Sequence, residues 1–174
     1  VTIVTGVTVN GVAETLGYTG ATANDANVAT ANKYISAITL ADGTGLASNY
    51  QLPSTLDAST APVTITPKAL TISGITASNR EYNGSTAAQV STAGATYSGL
   101  ISGDAVTVSA TGVFADANAG TGKTVTLTSS YSGGDVANYT ITDQASTTAN
   151  IAKKVVSLTG TTISKEYDLS LIHI

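Results

Sequence analysis

Ten residues of this chain return 86 positions later: Ile65-Thr-Pro-Lys-Ala-Leu-Thr-Ile-Ser-Gly74 comes back as Ile151-Ala-Lys-Lys-Val-Val-Ser-Leu-Thr-Gly160. Three shorter pairs keep nearly the same spacing. Asn49-Tyr50 recurs as Asn138-Tyr139, Asp25-Ala-Asn27 as Asp116-Ala-Asn118, and Glu81-Tyr82 as Glu166-Tyr167, at offsets of 85 to 91 residues. Solenoid repeats are about 20–45 residues long, so a period this large is a whole small domain. The chain is therefore expected to be a tandem array. Residues 67–152 form one complete copy, 1–66 the later part of the copy before it, and 153–168 the opening of a third. With no methionine and a cut copy at each end, the sequence reads as a window on a longer protein.

Residues 169–174 break the repeat where Tyr167-Asp168 should meet a glycine, as Tyr82-Asn83 meets Gly84. This hexapeptide reads as a translated sequencing-library adapter and is set aside from fold reasoning. His173, the single histidine, goes with it.

The composition calls for strands. Threonine and valine abound, and a branched Cβ fits a pleated surface. Charged residues are 10% of the chain and the net charge is −4, so the high-charge signature of disorder is missing. Without cysteine each copy must be held by its core alone. Lys123-Thr-Val-Thr-Leu-Thr128 alternates strictly, with Val125 and Leu127 inward, and Val106 with Val108, Leu70 with Ile72 and Tyr139 with Ile141 repeat the pattern. Turn signals at Asn83-Gly84, Ser102-Gly-Asp104, Ala119-Gly-Thr-Gly122 and Gly133-Gly-Asp135 separate these runs. No stretch shows a helical period with caps. These signs predict an all-β fold of tandem small antiparallel sandwiches, Ig-like in architecture.

Catalytic chemistry finds few residues to work with. Without cysteine, and without histidine once the tail is set aside, there is no Ser-His-Asp or Cys-His system and no zinc site of the usual ligands. The acids of the complete copy fall mostly at predicted turns, where side-chain-to-backbone bonds are their ordinary use. The chain is expected not to be an enzyme and to carry no cofactor. Seven Lys and Arg against eleven acids give no nucleic-acid footprint, and no apolar run is long enough for this segment to insert in a membrane. Calcium is the one ligand left open, with Asp116 and Asn118, or Asp25 and Asn27, as loop oxygen donors.

The ordered motifs Lys68-Ala-Leu-Thr-Ile-Ser-Gly74, Glu81-Tyr-Asn-Gly-Ser-Thr86, Gly103-Asp-Ala-Val-Thr-Val108, Phe114-Ala-Asp-Ala-Asn118 and Val136-Ala-Asn-Tyr-Thr-Ile141 are similar to the YDG repeat. The resemblance covers nearly the whole chain. Asn83 stands where that family usually has Asp, and both residues suit turns. The resemblance implies arrays in large secreted bacterial surface proteins of the filamentous-haemagglutinin and autotransporter type, hence an outer-membrane-associated location. It implies no catalytic site. The related MBG repeats make a β-grasp, which needs a helix across the sheet, the alternative fold.

Tyr82, Asn83, Gly84, Asn138 and Tyr139 are expected to be structural motif residues: Tyr82, Asn138 and Tyr139 recur with the domain, and Asn83-Gly84 is a turn signal. The expected role is a spacer in a stalk, with adjacent repeats as partners. The alternative is an adhesin module for host glycans or surface proteins, with Tyr97, in the variable stretch 88–100, as its ligand contact.

Overall fold

The computed structural model describes residues 7–9 and 12–160. The predicted third copy beyond residue 160, with Glu166, Tyr167 and the suspect tail, lies outside the described residues. The fold is all β. The regular helical turns among the described residues are two short 3-10 turns, Ala47–Asn49 and Val136–Asn138. The crossing helix of a β-grasp is therefore not present in this region.

The chain opens with strands β1 (Val7–Val9) and β2 (Val12–Glu14), which pair antiparallel, as do β3 (Gly17–Ala23) and β4 (Ile35–Ala41). The complete copy begins at β5 (Lys68–Ser73) and continues through β6 (Thr76–Ala77), β7 (Arg80–Glu81), β8 (Ala87–Ala88), β9 (Val90–Ser91) and β10 (Thr96–Ser98). It ends with β11 (Thr107–Phe114), the long β12 (Gly120–Ser132), β13 (Tyr139–Thr142) and β14 (Ser146–Ala152).

Two sheets enclose the core. One has the order β10-β5-β13, the other β7-β14-β12-β11-β8, and β6-β9 forms a small pair beside them. Side chains of both sheets meet in one cluster: Leu70 and Ile72 from β5, Val108 and Phe114 from β11, Val125 and Leu127 from β12, Tyr139 from β13, and Ala149 and Ile151 from β14. Strands that read as alternating in sequence alternate in burial, with Val125 and Leu127 inside and Thr124, Thr126 and Thr128 outside. The outer faces carry cross-strand hydroxyl pairs in place of charges, Ser73 with Thr96 and Ser109 with Ser130, each at 2.8 Å.

The sheets are not purely antiparallel as expected. β13 runs parallel to β5, and β14 parallel to β7. Alternation fixes which face of a strand is buried and leaves its direction open, so this difference has no signal in the periodicity. Gly112, on the inner face of β11, packs directly against core side chains. A Cβ there would stand 2.5 Å from Val90 Cγ2 and 2.8 Å from Val125 Cγ1.

Candidate functional site: the contact between copies

The recurring residues build two kinds of local structure, and both appear twice. The first is a tyrosine–carboxylate anchor. Tyr139 is 7% exposed, and its hydroxyl donates to Asp104 Oδ2 at 2.5 Å and accepts from the Ile101 amide at 3.0 Å. In the preceding copy the Tyr50 hydroxyl donates to Glu14 Oε2 at 2.6 Å. Burial, then the bond to Asp104, pushes the Tyr139 phenol above its ordinary value; the bond to Glu14 is the main cause of the same direction at Tyr50. Each tyrosine follows its 3-10 turn, and its amide returns to the first carbonyl of that turn, Val136 or Ala47.

The second is a side-chain-capped loop. Asp116 Oδ1 accepts from the Asn118 amide at 2.8 Å, as Asp25 Oδ1 does from the Asn27 amide at 2.6 Å. An aspartate bonding the amide two residues on is an Asx turn. Lys123 closes the later loop with an ion pair to the same Asp116 oxygen at 2.5 Å. That lysine is the chief cause of the lowered Asp116 pKa, and the Asn27 amide the chief cause at Asp25. The earlier loop is one residue longer. There Lys33, a buried lysine, donates to the Val28 carbonyl at 2.9 Å and to the Thr30 carbonyl. Asp116 and Asp25, two of the residues offered as calcium ligands, thus each turn an oxygen to a lysine or a backbone amide. No group of three or more His, Cys, Asp or Glu placed to hold a metal occurs among the described residues.

The two structures meet between copies. Asn138, at the end of the complete copy's 3-10 turn, accepts from the Val28 amide at 2.9 Å and donates from Nδ2 to Asn27 Oδ1 at 3.1 Å. The same Nδ2 lies 3.4 Å from Asp135 Oδ1, which holds the side chain to its own turn. One asparagine therefore clamps the Asp-Ala-Asn loop of the copy before it, across 110 residues of chain. Sequence reading found Asn27 and Asn138 as recurring residues and did not join them.

The other candidates serve the complete copy internally. Asn83 Oδ1 accepts from the Ser85 amide at 3.0 Å, with Gly84 at φ 78° between them. Arg80 reaches the Asn83 side chain and the Ser85 carbonyl, and its guanidinium lies 5.0 Å from the centre of the Phe114 ring. The Tyr-Asn-Gly turn is thereby tied to the core. Tyr82 is exposed, and its amide bonds the Ala152 carbonyl at 2.9 Å. Tyr97 packs against the core, and its hydroxyl accepts the Val108 amide at 3.1 Å. Around it, Ala88, Val90, Ala95 and Leu100 also face the core.

The profile of the YDG domain matches residues 66–149, almost the span of the complete copy. No curated protein and no solved structure matches the chain.

Proposed function

We propose that this chain, built round its YDG-type domain, is a spacer segment of a large secreted bacterial surface adhesin, in which adjacent repeats are its partners and the domain performs no chemistry of its own. The observation that carries the reading is the Asn138 clamp on Asn27 and Val28. A stalk needs neighbouring domains held in a set arrangement. Here a residue that recurs with the repeat is used between copies.

Other features agree. Tyr50, Tyr139, Asp25 and Asp116 are spent on internal hydrogen bonds. The outer faces are threonine- and serine-rich with few charges, a surface that offers little grip to charged partners. No helix among the described residues is long and apolar enough to cross a membrane.

The test is a screen of the whole chain against a glycan array and host matrix proteins. The spacer reading expects no saturable binding. Saturable binding to one of these surfaces would replace it with an adhesin module.

A further inference from the structure

Both halves of the joint between copies occur twice on this chain, and each half has one unmatched version. The turn that presents Asn138 to its neighbour is reproduced at Asn49. The residues that follow the two turns have φ −126°, ψ 146° at Tyr139 and φ −126°, ψ 151° at Tyr50. The loop that receives Asn138 is reproduced at Asp116-Ala-Asn118, with the same Asx bond. Asn138 and Val28 are half-buried where the joint is made, whereas their counterparts Asn49 and Ala119 are exposed; Asn27 and Asn118 are exposed alike.

A further feature lies beside the free loop. A cleft of about 570 Å³ is lined by Tyr82, Ala119 and the segment Lys153, Lys154, Val155 and Val156. That segment repeats the opening of β5, so the cleft lies where the complete copy joins the start of the next repeat.

We infer that the loop Asp116–Ala119, with this cleft beside it, is the docking surface for the Asn-Tyr turn of another copy of the same repeat. The incoming asparagine accepts the Ala119 amide and donates to the Asn118 side chain, as Asn138 does with Val28 and Asn27. The contact is heterologous: turn and loop are different surfaces, so it extends an array and does not close a pair. The inference rests on the tandem arrangement and is independent of whether the array binds a host surface. A glycan-array hit would end the spacer reading and leave this one standing.

The whole chain, labelled with 15N, tests it by self-titration. A short linker gives a tethered neighbour an effective concentration in the millimolar range, so the series runs to about 1 mM. The expected result is concentration-dependent shifts of the Asn118 and Ala119 amides and of the Asn49 side-chain amide. Asn49→Ala should abolish them, and so should Ala119→Pro, which deletes the receiving donor. Absence of shifts at about 1 mM overturns the inference, since a tethered copy would not dock either. So do shifts that persist in both variants. The existing joint is the internal control. Asn138→Ala should speed hydrogen exchange at Val28 by up to about tenfold, the scale of one net hydrogen bond. A Val28 amide already unprotected in the parent chain would also overturn it.

Discussion

In the complete copy eleven buried side chains meet in a single cluster; in the copy before it, Ile35 is the one buried apolar side chain among the described residues. Yet the two copies share their turns, their tyrosine–carboxylate anchors and part of their strand register. Lys123 lies opposite Ala149 in the complete copy, and the Lys33 carbonyl accepts from Val63 at 3.1 Å in the earlier one. The next step of that ladder, Thr124 with Thr148, is reduced to an isolated bridge, Tyr34 with Pro62. Both bonds that flank this bridge are made, Val63 amide to the Lys33 carbonyl and Ile35 amide to the Ala61 carbonyl, so Pro62 sits where the ladder needs no amide. Local chemistry forms turns and anchors without a full sheet pair. The core needs the second sheet.

The chain teaches the same lesson near residue 160. Leu70 and Ile72 are 0% and 2% exposed in β5, the central strand of its sheet. Their repeat counterparts Val156 and Leu158 are 87% and 100% exposed, in a stretch with no strand partner among the described residues. The same apolar alternation is a core strand in one place and bare chain in the other. Strand identity here is conferred by neighbours.

The comparison breaks most readily at Phe114. Its ring is 1% exposed and lies under Arg80, so Phe114→Ala should cost about 3–5 kcal/mol, read from chemical denaturation. Ile35→Ala, in the thinner copy, should cost less than about 2 kcal/mol, because a sparsely packed site collapses more easily. Equal losses would mean that the first copy has a core of comparable strength. Next in size is Gly112→Val, which drives methyl groups into Val90 and Val125. Overpacking of this kind should cost about 1–3 kcal/mol, and a melt within a degree of the parent would disprove the close approach.

The sequence showed the buried faces of β5, β11, β12 and β13, since period-two alternation is a local signal and these strands obey it. It also placed the turn at Asn83-Gly84. The parallel pairings were not legible, because direction depends on which sheet the chain returns to. The tyrosine anchors were hidden for a different reason. Their carboxylates sit 35 and 36 residues away and differ in type, Asp104 in one copy and Glu14 in the other, so identity matching passed over them. A search for conserved charge at the repeat spacing would have paired them. The joint was half visible: the recurrence of Asn-Tyr and Asp-Ala-Asn marked its residues, while the contact itself crosses 110 positions.

The two anchors offer a finer test, because the same hydroxyl–carboxylate bond sits in unlike surroundings. Both phenols titrate above the ordinary value of 10.0. A raised folded pKa means the neutral phenol is favoured by folding. That stability is therefore complete below the unfolded value and is lost as pH climbs through the folded one. The leading causes differ: burial at Tyr139, the carboxylate at Tyr50. Glu14→Gln should accordingly return Tyr50 most of the way to normal, and Asp104→Asn should leave Tyr139 clearly high. Tyrosinate absorbance, with Tyr50→Phe and Tyr139→Phe assigning the two steps, would measure this. Equal responses would place both rings in the same environment.

The smallest effect belongs to Asp57, which ties a turn of the first copy. Its Oδ1 accepts from the Ser59 hydroxyl at 2.7 Å, the Ser59 amide at 2.9 Å and the Thr60 amide at 3.0 Å. These bonds favour the carboxylate, the Ser59 hydroxyl most, and bring its pKa from 3.8 down to about 2. A lowered folded pKa contributes stability that is present above the unfolded value. It fades as pH falls from about 4 toward 2. The turn leads into the segment whose Ala61 carbonyl and Val63 amide bond Ile35 and Lys33. If local turns hold the first copy, its amides should gain exchange as pH falls through that window, after correction for intrinsic rates. The complete copy's core amides should not follow the Asp57 step. Asp57→Asn should flatten the change in the first copy alone. A matching change in both copies would show that the two unfold as one unit, and the contrast between turns and core would then no longer separate them.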